Sequence, residues 1–343
     1  MKVVIAGGGL VGLTLAALLR RRGLDPVVVE RMPAGVYVKR GFMLGHHADD
    51  AMADLGVLDR IRTEGRAIGQ RPDGTAAAVA IDVGRVLAAI GEGLPVLHEH
   101  SVVALERSPD GRVIGAVVEG TDGARSIPAD LVVACDGIRS RVREMAGLET
   151  QFAPLEEGKI EWMSPVPVAE SFAMTYLSNG SHIGMLSWPE GSFGWRTMDR
   201  VGREAAVAPG IEAFIAAWSL LLPESADGVR ALTSTDELLY TEPELLSCPR
   251  WWIPGLVIIG DAAHFFGPET GASAGIGAGD ALALAQAIGA HPDDPDAACT
   301  AYEAWRGPVA RHLELSDPGR QRPRGAILSK PLDHERWPPH AVS

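Results

Sequence analysis

Near its start the chain carries Gly7-Gly8-Gly9-Leu10-Val11-Gly12, a G-x-G-x-x-G between a β-branched run at residues 2–6 and a stretch of helical composition at residues 10–22. A second apolar run, Pro26-Val-Val-Val-Glu30, follows and ends on a carboxylate. Strand, glycine turn, helix and strand make a βαβ unit. Gly7 permits the tight turn, Gly9 lets the backbone approach a pyrophosphate, and Gly12 lets helix and strand pack closely. The helix start then offers unpaired N–H groups and a partial positive charge to phosphates. Glu30 sits where an acid accepts hydrogen bonds from a ribose. The plainer alternative is a glycine-rich turn in another α/β protein, and the motif alone does not choose between NAD and FAD.

Composition bounds what surrounds this unit. With 343 residues, 46% hydrophobic and 22% charged, the chain has a core to bury, and its length suggests two domains or one domain with an insertion. Thirty-one Lys and Arg against 44 Asp and Glu give a formal charge of −13, which argues against a nucleic-acid partner. Cys135, Cys248 and Cys299 lie far apart without metal or redox spacing, which fits a reducing cytoplasm. The uncharged run at residues 3–19 resembles a signal sequence or short span, yet four glycines interrupt it and no cleavage site follows, so no membrane segment is expected. His46-His47 and the pair His98 and His100 lack a matching acidic or cysteine set, so no metal site is expected.

Two later segments select the cofactor. Ala129-Asp-Leu-Val-Val-Ala-Cys-Asp136-Gly137-Ile-Arg139-Ser140-Arg-Val-Arg143 reads as a buried strand delivering Asp136 to its end, with Ser140 and Arg143 on the following turn and helix. Gly255-Leu-Val-Ile-Ile-Gly260-Asp261-Ala-Ala-His264 continues through Pro268, Gly271 and Asp280-Ala281, and Tyr302-Glu303-Ala-Trp-Arg306-Gly-Pro308 follows. In this order the segments resemble those of the FAD-dependent monooxygenases of the para-hydroxybenzoate hydroxylase type, the group A flavoprotein aromatic hydroxylases, from residue 1 to about 316. The resemblance implies FAD. It places Asp136 and Gly137 near the cofactor, although Asp136 could instead cap its helix. It gives the Asp261 carboxylate a ribityl hydroxyl, with Gly260 at the turn, and assigns the helix start after Pro268 (Gly271, Ala272, Ser273 and Ala274) to the flavin pyrimidine edge. His264 is read as a support for the loop. Lys39 and Arg40 resemble the family's basic residue near the FAD phosphates, or are solvated loop charges.

Three departures stand out. Ala272 and Gly275 replace the Gln and Asn of the family's G-Q-G-x-N-x-G. Val83 stands at the family's arginine, with Arg85 two residues along, where it either substitutes or faces solvent. The stretch at residues 69–81 is long enough only for a turn and one short strand, a trimmed substrate domain.

From residue 151 to 248 the pattern becomes short alternating segments, at residues 171–178, 182–188 and 192–198, which predict antiparallel strands. Phe172, Met174 and Tyr176 share one face, as do Phe193 and Trp195, forming either an aromatic wall for a flat substrate or ordinary core. Residues 211–222 predict the helix that packs on this sheet. His182 and Arg196 are candidates to anchor a phenolate or carboxylate, or are structural residues.

The expected fold is α/β: a Rossmann-like FAD-binding domain of the glutathione-reductase type with an inserted antiparallel-sheet substrate domain. The FAD-binding part is discontinuous, at residues 1–68, 82–150 and 249–316. Residues 69–81 and 151–248 form the substrate part, and 317–343 a Pro-rich tail. The resemblance implies an oxidoreductase using NAD(P)H as transient co-substrate, passing one oxygen atom from O2 through a C4a-hydroperoxyflavin to a small aromatic substrate, with a homodimer as family precedent. The alternatives are an FAD-dependent oxidase, dehydrogenase or cyclase on the same fold, or a non-redox FAD-binding scaffold.

Overall fold

The computed structural model describes residues 1–37, 40–155, 157–178, 181–267 and 273–315. Strands Val3–Ala6, Val27–Glu30, Val96–His98, Leu131–Ala134 and Leu256–Ile258 run parallel, and Trp252–Ile253 adds an antiparallel edge. Val3–Ala6 lies inside the sheet, between Leu131–Ala134 and Val27–Glu30. All four of its residues are buried, as a strand covered on both faces requires. Helix Leu10–Arg21 crosses from the first strand to Val27–Glu30 and packs against helices Ser273–Ala290 and Val83–Gly91. Its basic Arg20 and Arg21 fall in the last turn, where they complement the helix dipole.

A second, antiparallel sheet holds five strands in the order Phe172–Tyr176, His182–Trp188, Gly191–Met198, Gly158–Ser164 and Leu239–Thr241. Strand alternation divides its two faces. Ile160, Trp162, Ile183 and Met185 pack on Phe214 and Trp218 of helix Ile211–Leu221, and the Trp162 and Trp218 rings meet edge to face. On the other face Leu186, Trp188 and Phe193 pack on Ala80, flanked by Met43 and Ile68. Those last three residues belong to a small sheet in the order Gly41–Gly45, Ala76–Asp82, Arg66–Gln70.

This contact decides between wall and core for one row of that face. Phe193 and Trp188 are core between two sheets, because their row of the face is covered by Ala80. Trp195 and Met174, one row further along, keep partial exposure. The short segment at residues 69–81 does not stand alone: its strand pairs on either side with Gly41–Gly45 and Arg66–Gln70. The Pro-rich tail lies outside the described residues.

Candidate cofactor and substrate site

The carboxyl ends of Val3–Ala6, Leu131–Ala134 and Leu256–Ile258 come together where neighbouring strands connect in opposite directions, the crevice in which open α/β sheets bind ligands. Gly7 turns the chain at φ +111°, and a Cβ there would lie 2.4 Å from the Cys135 carbonyl oxygen. At Gly12 a Cβ would lie 1.9 Å from the Gly7 carbonyl oxygen, so turn and helix can touch only as glycines. Over Gly9 there is nothing within 4 Å, and no side chain caps the helix it starts. The first helical amides are thus left for an outside acceptor. Glu30 closes the turn: Oε2 accepts from Gly8 N at 2.7 Å and Oε1 from Met32 N at 2.8 Å. Both oxygens keep further acceptor capacity.

The turn after Leu256–Ile258 supplies a carboxylate to the crevice. Asp261 makes no hydrogen bond among the described residues, and burial pushes its carboxyl up to about 6, with Asp280 adding to the rise and His264 and Arg40 opposing it. A carboxylate held so deep without a donor is built for a donor from elsewhere. Ser273 Oγ, at the start of helix Ser273–Ala290, is also buried without a partner among the described residues, and Ala274 follows it. Helices and turn converge on Val11, whose methyl a Cβ at Gly260 would meet at 2.9 Å and one at Gly277 at 2.6 Å.

Behind Asp261 lies a buried ionic network. Asp280 accepts from Arg306 Nε at 2.7 Å, from His264 Nε2 at 2.7 Å and from Gly260 N at 3.1 Å. Burial raises the Asp280 carboxyl, but His264 and Arg306 outweigh it and leave it below its ordinary value. The buried Arg143 donates to the Ala262 carbonyl at 2.8 Å, tying the helix after Asp136 to the same turn. The partnership of Asp280 with Arg306 and the grip of Arg143 escape sequence reading, since no local spacing joins residues so far apart.

Several expected residues stand elsewhere. Asp136 turns both oxygens to its own helix, accepting from Ser140 Oγ and from the amides of Arg141 and Val142, while Gly137 makes the turn at φ +88°. The cap therefore describes Asp136 better than a cofactor contact. Arg85 pairs with Glu190 at 3.0 Å and Glu64 at 3.5 Å, with its side chain partly open to solvent. Arg40 does not stand as a lone phosphate ligand: it pairs with Glu161 of the antiparallel sheet at 2.5 Å. His182 and Arg196 lie on opposite faces, because Arg196 pairs with Ile183 across the strands and shares its side. They cannot anchor one substrate together. His182 is buried, with its amide bonded to Thr197 Oγ1 at 2.9 Å. Gly275 has a packing reason, for a Cβ there would lie 2.9 Å from the Cβ of His47. Lys39, Pro268, Gly271 and Ala272 lie outside the described residues.

Open space over Gly9, uncapped helix amides behind it, Glu30 with acceptor capacity left and an undonated Asp261 fit an extended dinucleotide whose far end carries hydroxyls. Comparison with known proteins agrees. The FAD binding domain family matches residues 1–79 and 81–316. Aurachin C monooxygenase/isomerase of Stigmatella aurantiaca is 28% identical over 337 residues, covering 89% of this chain and 85% of that protein. 3-Amino-4-hydroxybenzoate 2-monooxygenase of Streptomyces cremeus is 26% identical over 339 residues, covering 90% and 84%. Among solved structures, PqsL, a probable FAD-dependent monooxygenase from Pseudomonas aeruginosa, superposes with a TM-score of 0.80 at 22% identity, covering 92% of this chain and 94% of that one. The tetrameric 2-methyl-3-hydroxypyridine-5-carboxylic acid oxygenase gives 0.77 at 19%, covering 92% and 90%. The crevice, its uncapped helix amides and open carboxylates, and the family match over most of the chain together make it a member of the FAD binding domain family, of the group A-like monooxygenase kind with the para-hydroxybenzoate hydroxylase fold.

Proposed function

We propose that the protein is a single-component, NAD(P)H-using FAD monooxygenase that inserts one oxygen atom from O2 into a small aromatic substrate. The observation that carries this reading is Asp261, a deep carboxylate without a donor at the mouth of the glycine turn. In this reading a Rossmann-like domain of the glutathione-reductase type, at residues 1–68, 82–150 and 249–316, holds FAD, and residues 69–81 and 151–248 cover the substrate. The amides after Gly9 bind the pyrophosphate, Glu30 the adenosine ribose, Asp261 a ribityl hydroxyl, and the helix start at Ser273 and Ala274 the pyrimidine edge, whose negative charge it stabilises.

FAD, reduced by NAD(P)H, supplies the oxygen-activating chemistry, while the protein orients the substrate and excludes water. The chain has one glycine fingerprint, so the pyridine nucleotide docks transiently. Trp195, with its ring 6.0 Å from Phe193 and 6.4 Å from Phe172, gives the open end of the antiparallel sheet a flat apolar surface. The names of the relatives support an aromatic or heteroaromatic substrate, 3-amino-4-hydroxybenzoate for one and urate for another.

The test is turnover of the FAD-loaded protein with NADH or NADPH under 18O2, offering 3-amino-4-hydroxybenzoate, urate and related aromatics. One 18O atom in a product supports the reading. NAD(P)H oxidation that yields only hydrogen peroxide with every compound contradicts it.

A further inference from the structure

Strand Gly158–Ser164 breaks the pattern of its sheet. Ile160 and Trp162 go to the core under helix Ile211–Leu221, which leaves Lys159, Glu161 and Met163 on the opposite face. Lys159 is only 8% exposed and Glu161 4%, two charges inside the protein on the face that also carries Trp195. Lys159 Nζ lies 5.6 Å from the Trp195 ring centroid. Glu161 Oε2 takes one hydrogen bond, from Arg40 Nη2 at 2.5 Å, and Oε1 accepts none among the described residues. Arg40 has no second partner there either: its Nε is buried without one, and its side chain is otherwise partly open. Arg40 directly precedes strand Gly41–Gly45, which packs against helix Ser273–Ala290 of the cofactor crevice, and its charge draws the Asp261 carboxyl down.

Glu161 Oε1 has no donor among the described residues, and it is not one of the buried polar atoms left without a partner, so this oxygen faces open space and not the packed core. The pair therefore presents a leftover acceptor, Glu161 Oε1, next to a leftover donor edge on Arg40, under an aromatic surface.

We propose that Glu161, held by Arg40, is the specificity-determining residue of the substrate pocket, and that the pair selects an aromatic ring bearing an N–H or O–H donor ortho to an acceptor oxygen. Glu161 accepts from the ring substituent, Arg40 donates to the adjacent oxygen, and the ring lies against Trp195. The proposal rests on the monooxygenase reading only for the presence of a substrate pocket.

Its test reads binding alone, so its failure is separate from failure of oxygen transfer. The oxidised FAD-loaded protein is titrated with 2-aminoacetophenone, acetophenone and aniline, following the flavin absorbance change. Wild type is expected to bind 2-aminoacetophenone about tenfold more tightly than acetophenone, the worth of a charge-assisted hydrogen bond. Glu161→Gln should reduce that preference to about twofold or less, with FAD content and melting temperature retained. Arg40→Lys, a variant that keeps Glu161 paired, should retain the preference over acetophenone and lose the preference over aniline. Two results overturn the proposal: equal or absent wild-type binding of 2-aminoacetophenone and acetophenone, or an unchanged preference in Glu161→Gln.

Discussion

Asp261 is held up by burial and by Asp280, and drawn down by His264 and Arg40, with the net result that its carboxyl titrates at about 6 instead of its ordinary 3.8. The folded protein without FAD therefore keeps a proton that the unfolded chain releases, and its stability falls as pH rises from 3.8 to about 6. The loss amounts to about 3 kcal/mol at most, roughly two pH units at 1.4 kcal/mol each. Asp261→Asn should remove that slope, which urea unfolding of the FAD-free protein between about pH 4 and about pH 7 would show; an identical slope in the variant would count against the burial account. Hydroxyl donors of FAD favour the ionised carboxylate, so wild-type FAD affinity should weaken as pH falls below about 6, and the variant should lose that dependence.

Elements position this residue through charge. The 18-residue helix Ser273–Ala290 brings Asp280 under the Asp261 turn, and helix Pro295–Leu315 brings Arg306 to meet it. Asp280→Asn leaves Arg306 buried without its counter-charge and should cost about 3–5 kcal/mol. Asp280→Leu combined with Arg306→Met should recover much of that stability, yet bind FAD more weakly because Gly260 N and His264 lose their acceptor. Denaturant unfolding and FAD titration of the same variants separate the two effects; recovery of FAD affinity in the double variant would show that the network serves stability alone. Elements of this kind were legible in the sequence where the signal is local. The glycine turn, the strand before Asp261 and the helix at residues 211–222 each depend on neighbours within a few positions, and the last was found as Ile211–Leu221. Partnerships across the chain were not. Arg40 and Glu161 lie 121 positions apart, and nothing in either segment names the other. Arg196 and His182 looked alike as polar residues in neighbouring strands until the register put them on opposite faces.

At the scale of the whole molecule, a parallel sheet carries the cofactor crevice, an antiparallel sheet carries Glu161 and Trp195, and the small sheet Gly41–Gly45, Ala76–Asp82, Arg66–Gln70 joins them through Ala80. The glycine motif and the family resemblance pointed to the first, and alternation along residues 171–198 to the second. Sequence reading left open how they meet, because whether an aromatic row is wall or core depends on what packs on it. The central claim is that segments distant along the chain close on one FAD. Hydrogen–deuterium exchange with and without FAD tests it most directly. Protection should gather at the turn from Gly7 to Gly12, at the turn from Gly260 to Ala263 and at the start of helix Ser273–Ala290, all with the same FAD dependence. Unchanged exchange in those three segments at saturating FAD, with protection appearing elsewhere, would contradict it.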